Sequence, residues 1–206
     1  MDAAAHPARP VHLDHPFGGV DNKKLGMWLF LGSDAMGFTG LLGAYAVMRV
    51  SAGASWVPID PKTNAPHVLP QVLTGINTFL LICSSVTMVL ALKHCRAGNL
   101  GKFKGFLFAT MMGGVGFLSI QAYEWTHMIQ TGITAPASNF GGTFYMLTGY
   151  HGFHVFGGVC LLAWALLRAM KGVYGPDNSI GIEVVGLYWH FVDLVWIILF
   201  TLIYLL

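Results

Sequence analysis

The stretch EVVGLYWHFVDLVWIILFTLIYLL, residues 183–206, decides the fold. A helix needs about 20 apolar residues to cross roughly 30 Å of hydrocarbon, and this run is long enough. Inside lipid every backbone N–H and C=O must pair within its own segment, so the run reads as a helix and not a strand. Yet it carries His190 and Asp193 near its middle. Ionisable side chains are expensive at that depth, so they mark either a packed interior or a functional site.

Working outward, four more windows have the same character: about 25–48, 72–92, 103–126 and 143–167. The chain is 55% hydrophobic and only 10% charged, against roughly 25% charged residues in soluble domains. The expected fold class is therefore all-α, a single bundle of five transmembrane helices over residues 25–206. Residues 1–24 are polar, with His6, His12, His15 and several prolines and no apolar core, which predicts a flexible cytoplasmic tail and not a signal peptide. The connection after the first window holds Pro58, Pro61, Pro66 and Pro70 and reads as an irregular surface loop. A net charge of +2, with no basic patch interleaved with aromatics, argues against nucleic acid as a partner. Cys83, Cys95 and Cys160 share no metal-ligand spacing and form no disulfide framework.

Lysine and arginine predict the orientation. Arg9, Lys23, Lys24, Lys93, Arg96, Lys102, Lys104, Arg168 and Lys171 fall on one side of a five-helix topology, and only Arg49 and Lys62 on the other. The positive-inside rule then places the N-terminus in the cytoplasm and the C-terminus outside.

Counting depth at about 1.5 Å per residue brings Asp34, His151, His154, His190 and Asp193 to one level near the midplane. The simplest account is that they face one another or a shared cleft. His151 and His154 lie three apart on one helix face, as do His190 and Asp193, and Trp189, Asp193 and Trp196 form a stripe. This predicts an interhelical polar network of Glu124, His151, His154, Trp189, His190 and Asp193, with His190 and Asp193 holding the fifth helix to the fourth near His154. On the second helix, Thr74, Asn77, Leu81, Ser84, Ser85 and Met88 make a mildly polar stripe.

Metal chemistry has incomplete ligand sets. Glu124 and His127 have the Glu-x-x-His spacing of carboxylate di-iron sites, but such sites need two copies and further carboxylates. His151 and His154 as haem or copper ligands would need a facing histidine, and His190 is the one candidate. The expectation is that this chain holds no metal. Two readings of the buried ionisable residues stay open: packing by hydrogen bonds across helices, with lipid head groups or water, or proton relay through Asp34 or Asp193.

At these residues the chain resembles subunit III of the haem–copper oxidases, most closely those of cytochrome c oxidase. Ser33-Asp34 is similar to a Ser-Glu of the family, with Asp for Glu. Ile76-Asn77-Thr78 is similar to its Leu-Asn-Thr, and residues 120–124 to its Leu-Gln-Ala-Tyr-Glu. Residues 143–155, TFYMLTGYHGFHV, and 189–196, WHFVDLVW, resemble two further family runs, in order along the chain. The resemblance, to the short five-helix bacterial form, implies a non-redox subunit of a bacterial cell-membrane respiratory oxidase that reduces oxygen to water. It implies haem and copper in partner subunits I and II, direct contact with subunit I, and bound phospholipid in an interhelical cleft. It also implies Asp34, beside Ser33, as the cleft carboxylate, support of proton uptake and sustained turnover, and a wider respiratory supercomplex as a further setting. Outside this reading stand subunit III of a quinol oxidase, a subunit III-like partner of nitric oxide reductase and, from another class, a transporter or proton channel.

Overall fold

A computed structural model of the chain describes residues 21–56 and 71–205. The tail histidines His6, His12 and His15, the proline-rich connection with Lys62, and Leu206 lie outside them. Among the described residues there are five long helices and no strand: α1 (Asn22–Ala52), α2 (Gln71–Arg96), α3 (Leu100–Gln130), α4 (Asn139–Met170) and α5 (Ile180–Phe200). A π-helical turn over Thr201–Leu205 continues α5. All five are long and apolar enough to cross a membrane.

The helices run past the apolar windows because local chemistry carries them on. Asp21 caps α1, its carboxylate accepting from the Lys23 amide at 2.8 Å. Ser138 caps α4 in the same way, accepting from the Gly141 amide at 3.0 Å. α2, α3 and α4 end alike, each at a glycine with positive φ: Gly98, Gly132 and Gly172. Each glycine N–H bonds back to a carbonyl three residues earlier, and the following residue reaches one five earlier, as in Asn99 to His94 at 2.9 Å. This closing motif satisfies carbonyls that the helix itself leaves free.

α2 packs on α3, α3 on α4, α4 on α5 and α5 back on α2, so these four close into a ring. α1 stands outside it, against α4 and α5. Three of its residues are buried, Leu31, Phe38 and Tyr45, each seven apart, which is a narrow seam. The ring interior holds Trp189, Trp196, Phe103, Phe117, Phe144, Leu81 and Met88, all essentially inaccessible. At one end of the bundle Glu183 of α5 takes Lys24 of α1 and Arg96 of α2, both at 2.7 Å. At the other, Arg49 and Tyr45 of α1 donate to the Leu202 carbonyl at 3.0 and 3.2 Å.

Candidate functional site

The site follows from where α1 meets α4. α1 turns Asp34 and Phe38, one helical turn apart, toward the ring. α4 answers with Tyr150 and His154, also one turn apart. His154 Nε2 lies 2.8 Å from Asp34 Oδ2, with the two side chains 8% and 12% exposed. The Tyr150 hydroxyl donates to Asp34 Oδ1 at 3.4 Å. Gly37 makes room for that hydroxyl, since a Cβ there would stand 3.1 Å from it. Phe38 covers the contact, its ring 5.3 Å from that of His154 and 4.8 Å from that of Tyr150. From α5, the Tyr188 hydroxyl donates to the His154 carbonyl at 3.0 Å.

The imidazole orientation is fixed. His154 Nδ1 sits 2.7 Å from the Tyr150 carbonyl oxygen. A carbonyl oxygen only accepts, so Nδ1 carries its hydrogen and donates. Nε2, facing the carboxylate, then has a hydrogen only in the imidazolium form.

The other polar residues are joined differently from the single network that depth counting predicts. Asp193 Oδ2 accepts from Ser85 of α2 at 2.7 Å. It thus ties α5 to α2 and not to α4, because it lies on the face of α5 that closes the ring. Trp189 Nε1 donates to Ser84 at 3.0 Å, and Trp196 Nε1 to Thr78 at 3.0 Å, both also on α2. Glu124 of α3 accepts from Thr74 at 3.3 Å, and Asn77 donates to the Phe117 carbonyl at 3.4 Å. The polar stripe of α2 is therefore what the ring closes around, with Thr74, Asn77, Leu81, Ser84, Ser85 and Met88 all buried. His190 stands apart from Asp193's contact and lines a groove between α5 and α1 with Trp28, Leu31 and Ala35. His151 is fully buried among rings, stacked on Trp196 at 4.9 Å and edge-on to Phe117 at 5.6 Å. Ser33 is exposed and donates to its own helix, at the Phe30 carbonyl, 2.7 Å away.

Nor do the metal-ligand spacings converge. Glu124 is buried while His127, three residues on, is exposed. Among the described residues no group of three or more His, Cys, Asp or Glu side chains is placed to hold a metal ion. The sequence reading missed Tyr150, Tyr188 and Phe38. A signal for Tyr150 was present, a tyrosine one helical turn before His154. Tyr188 and Phe38 had no such mark.

Above Asp34, two turns along α1, a groove of about 480 Å³ opens between α1 and α4, lined by Leu41, Ala44, Met48, Met146 and Leu147 with the connection 135–138. Its α1 wall is apolar, while α4 adds Asn139 and Thr143 beside Met146 and Leu147.

Known proteins share this chain's pattern over nearly its whole length. The family model described as cytochrome c oxidase subunit III matches residues 11–206. "Probable cytochrome c oxidase subunit 3" of Mycobacterium leprae is 35% identical over 190 residues, covering 92% of this chain and 91% of that one. "Cytochrome c oxidase subunit 3" of Bacillus subtilis is 36% identical over 186 residues, 90% of this chain and 86% of its own. The protein of the same name from Synechocystis is 39% identical over 197 residues, 95% and 78% of the two chains. With five membrane-length helices, four of them closed into a polar-lined ring, and a match of this extent, the chain belongs to the cytochrome c oxidase subunit III family.

Proposed function

We propose that the chain is the non-redox third subunit of a cytochrome c oxidase in a bacterial cell membrane, N-terminus in the cytoplasm. It packs beside subunit I, which with subunit II carries the haem and copper. It holds phospholipid between α1 and α4 and supports proton uptake and sustained turnover. Family membership carries the assignment of the complex. The observation that supports the role is the largely buried Asp34–His154 contact, with a groove between α1 and α4 two helical turns farther along α1.

The test is Asp34→Ala in the assembled oxidase. The reduced-minus-oxidised haem spectrum is expected to stay unchanged while the number of turnovers before inactivation falls severalfold. Loss of haem absorbance in that variant would refute a supporting role. Purification through a tag on this chain should bring down a haem- and copper-containing partner with phospholipid, and its recovery alone would count against the assembly.

A further inference from the structure

Between α3 and α4 runs a groove of about 280 Å³ that the role proposed above leaves unused. Gln121 and Trp125 of α3 line it, with Gly149, Gly152 and Phe153 of α4. Gln121 is 5% exposed, and neither its amide nitrogen nor its amide oxygen has a partner among the described residues. Trp125 Nε1 is buried and unpartnered in the same way. Thr148 also lines the groove, but its hydroxyl is committed to its own helix, at the Phe144 carbonyl, 2.7 Å away. Donors from the Gln121 amide and the indole N–H, and an acceptor at the Gln121 carbonyl, thus stand unmatched beside one groove. By helix rise Gln121 lies about 14 Å before the end of α3, within the apolar span, where an unmatched polar group costs most.

The groove is shaped for a helix. Its α4 floor is glycine. A Cβ on Gly152 would meet nothing within 4 Å, and the Trp125 indole lies against Gly149, 3.1 Å from where a Cβ would stand. Small residues of this kind let a neighbouring backbone approach closely. Phe153 rises at the rim, 71% exposed. The volume falls below the roughly 300–1,000 Å³ of pockets that hold a whole small ligand, and it suits side chains from a neighbouring segment. A lipid acyl chain offers neither donor nor acceptor. An ester or phosphate oxygen only accepts, which would leave the Gln121 carbonyl unmatched. A hydroxyl or amide side chain both donates and accepts, and in a bilayer such side chains bond across helices.

We propose that a transmembrane helix of a partner subunit seats in the α3–α4 groove and bonds Gln121 and Trp125 through a Ser, Thr, Asn or Gln side chain. This rests on the reading of the chain as one subunit of a complex, and adds to it the face that receives a partner helix. Gln121 turns its amide to that side chain, accepting at the carbonyl or donating from the nitrogen, and the indole N–H donates to the same group. Gly149 and Gly152 set the distance of approach, and Phe153 packs over the incoming helix. The chain alone leaves the three polar atoms unmatched; the assembled complex matches them.

The test is photocrosslinking in the purified, assembled complex, with a benzophenone amino acid in place of Phe153. The adduct is expected on a partner polypeptide, in a membrane-length apolar segment and within one helical turn of a Ser, Thr, Asn or Gln. Gln121→Met removes the amide at similar length, and Gly152→Leu fills the floor. Each should lower the adduct yield severalfold while the haem spectrum stays that of the wild type. Gly40→Leu, on α1 where a Cβ also meets nothing within 4 Å, should leave the yield unchanged. An adduct on lipid alone, on this chain alone, or on a segment without such a side chain would overturn the proposal. So would a yield that either groove variant leaves intact, or one that Gly40→Leu lowers as much. Each of these results can come from a complex that purifies whole with its haem, so a failed groove and a failed assembly are told apart.

Discussion

Trp189 is placed by two side chains that are missing. A Cβ on Gly114 would stand 2.5 Å from its ring, and one on Gly158 2.9 Å from it, so α3 and α4 each give the indole room. With that room the Nε1–H reaches Ser84 across the ring. Gly114→Ala should force the indole off Ser84 and cost about 1–3 kcal/mol, the usual range for overpacking a core. Gly152→Ala is the control, because a Cβ there meets nothing within 4 Å. Equal denaturation midpoints in detergent for the two variants would contradict this account. Asp193 gives a second test at the same scale. Its bond to Ser85 is buried at 2.7 Å, so Ser85→Ala should cost about 1 kcal/mol, near the middle of what interhelical hydrogen bonds contribute in membranes. A double-mutant cycle of Ser85→Ala with Asp193→Asn that shows additive effects would dissociate the two residues.

Helix ends are where α1 and α5 depend on each other. The last carbonyls of α5 have no partner within the helix, and side chains from elsewhere take them: Arg49 and Tyr45 at Leu202, Gln71 at Tyr204. Arg49→Met should therefore speed amide hydrogen exchange over residues 201–205 and leave α2 and α3 unaffected; unchanged exchange there would remove the capping role. Glu183 with Lys24 and Arg96 is a more exposed tie at the other end, with 23% of its side chain accessible. Such pairs contribute under about 1 kcal/mol, so Glu183→Gln should be mild by comparison. The existence of these helices was legible because a bilayer imposes length and apolarity on each one. Their ends were not, since Asn22 and Gln130 belong to helices through capping and interfacial turns that hydropathy does not register. Depth counting put Asp34, His154 and Asp193 at one level, and the close approach of Asp34 to His154 agrees with it for that pair. Depth carries no information on which way a residue faces around its helix. Asp34 therefore meets His154 while Asp193 meets Ser85, and Ser33, next in sequence to Asp34, turns outward. The α2 stripe was read well because its 3.6-residue period does specify a face.

At the scale of the whole molecule, a closed ring and a helix on its outside should not respond alike to stress. Each ring helix is gripped on two sides by its neighbours, and the ring's indoles and acids bond inward to α2. Among the described residues α1 packs chiefly on α4 and α5, through a seam of three buried residues and the polar contacts named above. A denaturing detergent competes first for the weakest helix contact, because local openings in a protein span a range of free energies below the global one. Rising sodium dodecyl sulfate should thus separate a spin label on Thr39→Cys from one on Cys160 at a lower detergent fraction than it exposes Trp189 and Trp196 to a fluorescence quencher. Asp34→Ala should widen the gap between the two transitions by moving the first and not the second. Superimposable transitions in the wild type would mean that α1 is part of one cooperative unit with the ring, and that the polar contacts along it bind it as firmly as shared walls bind the other four.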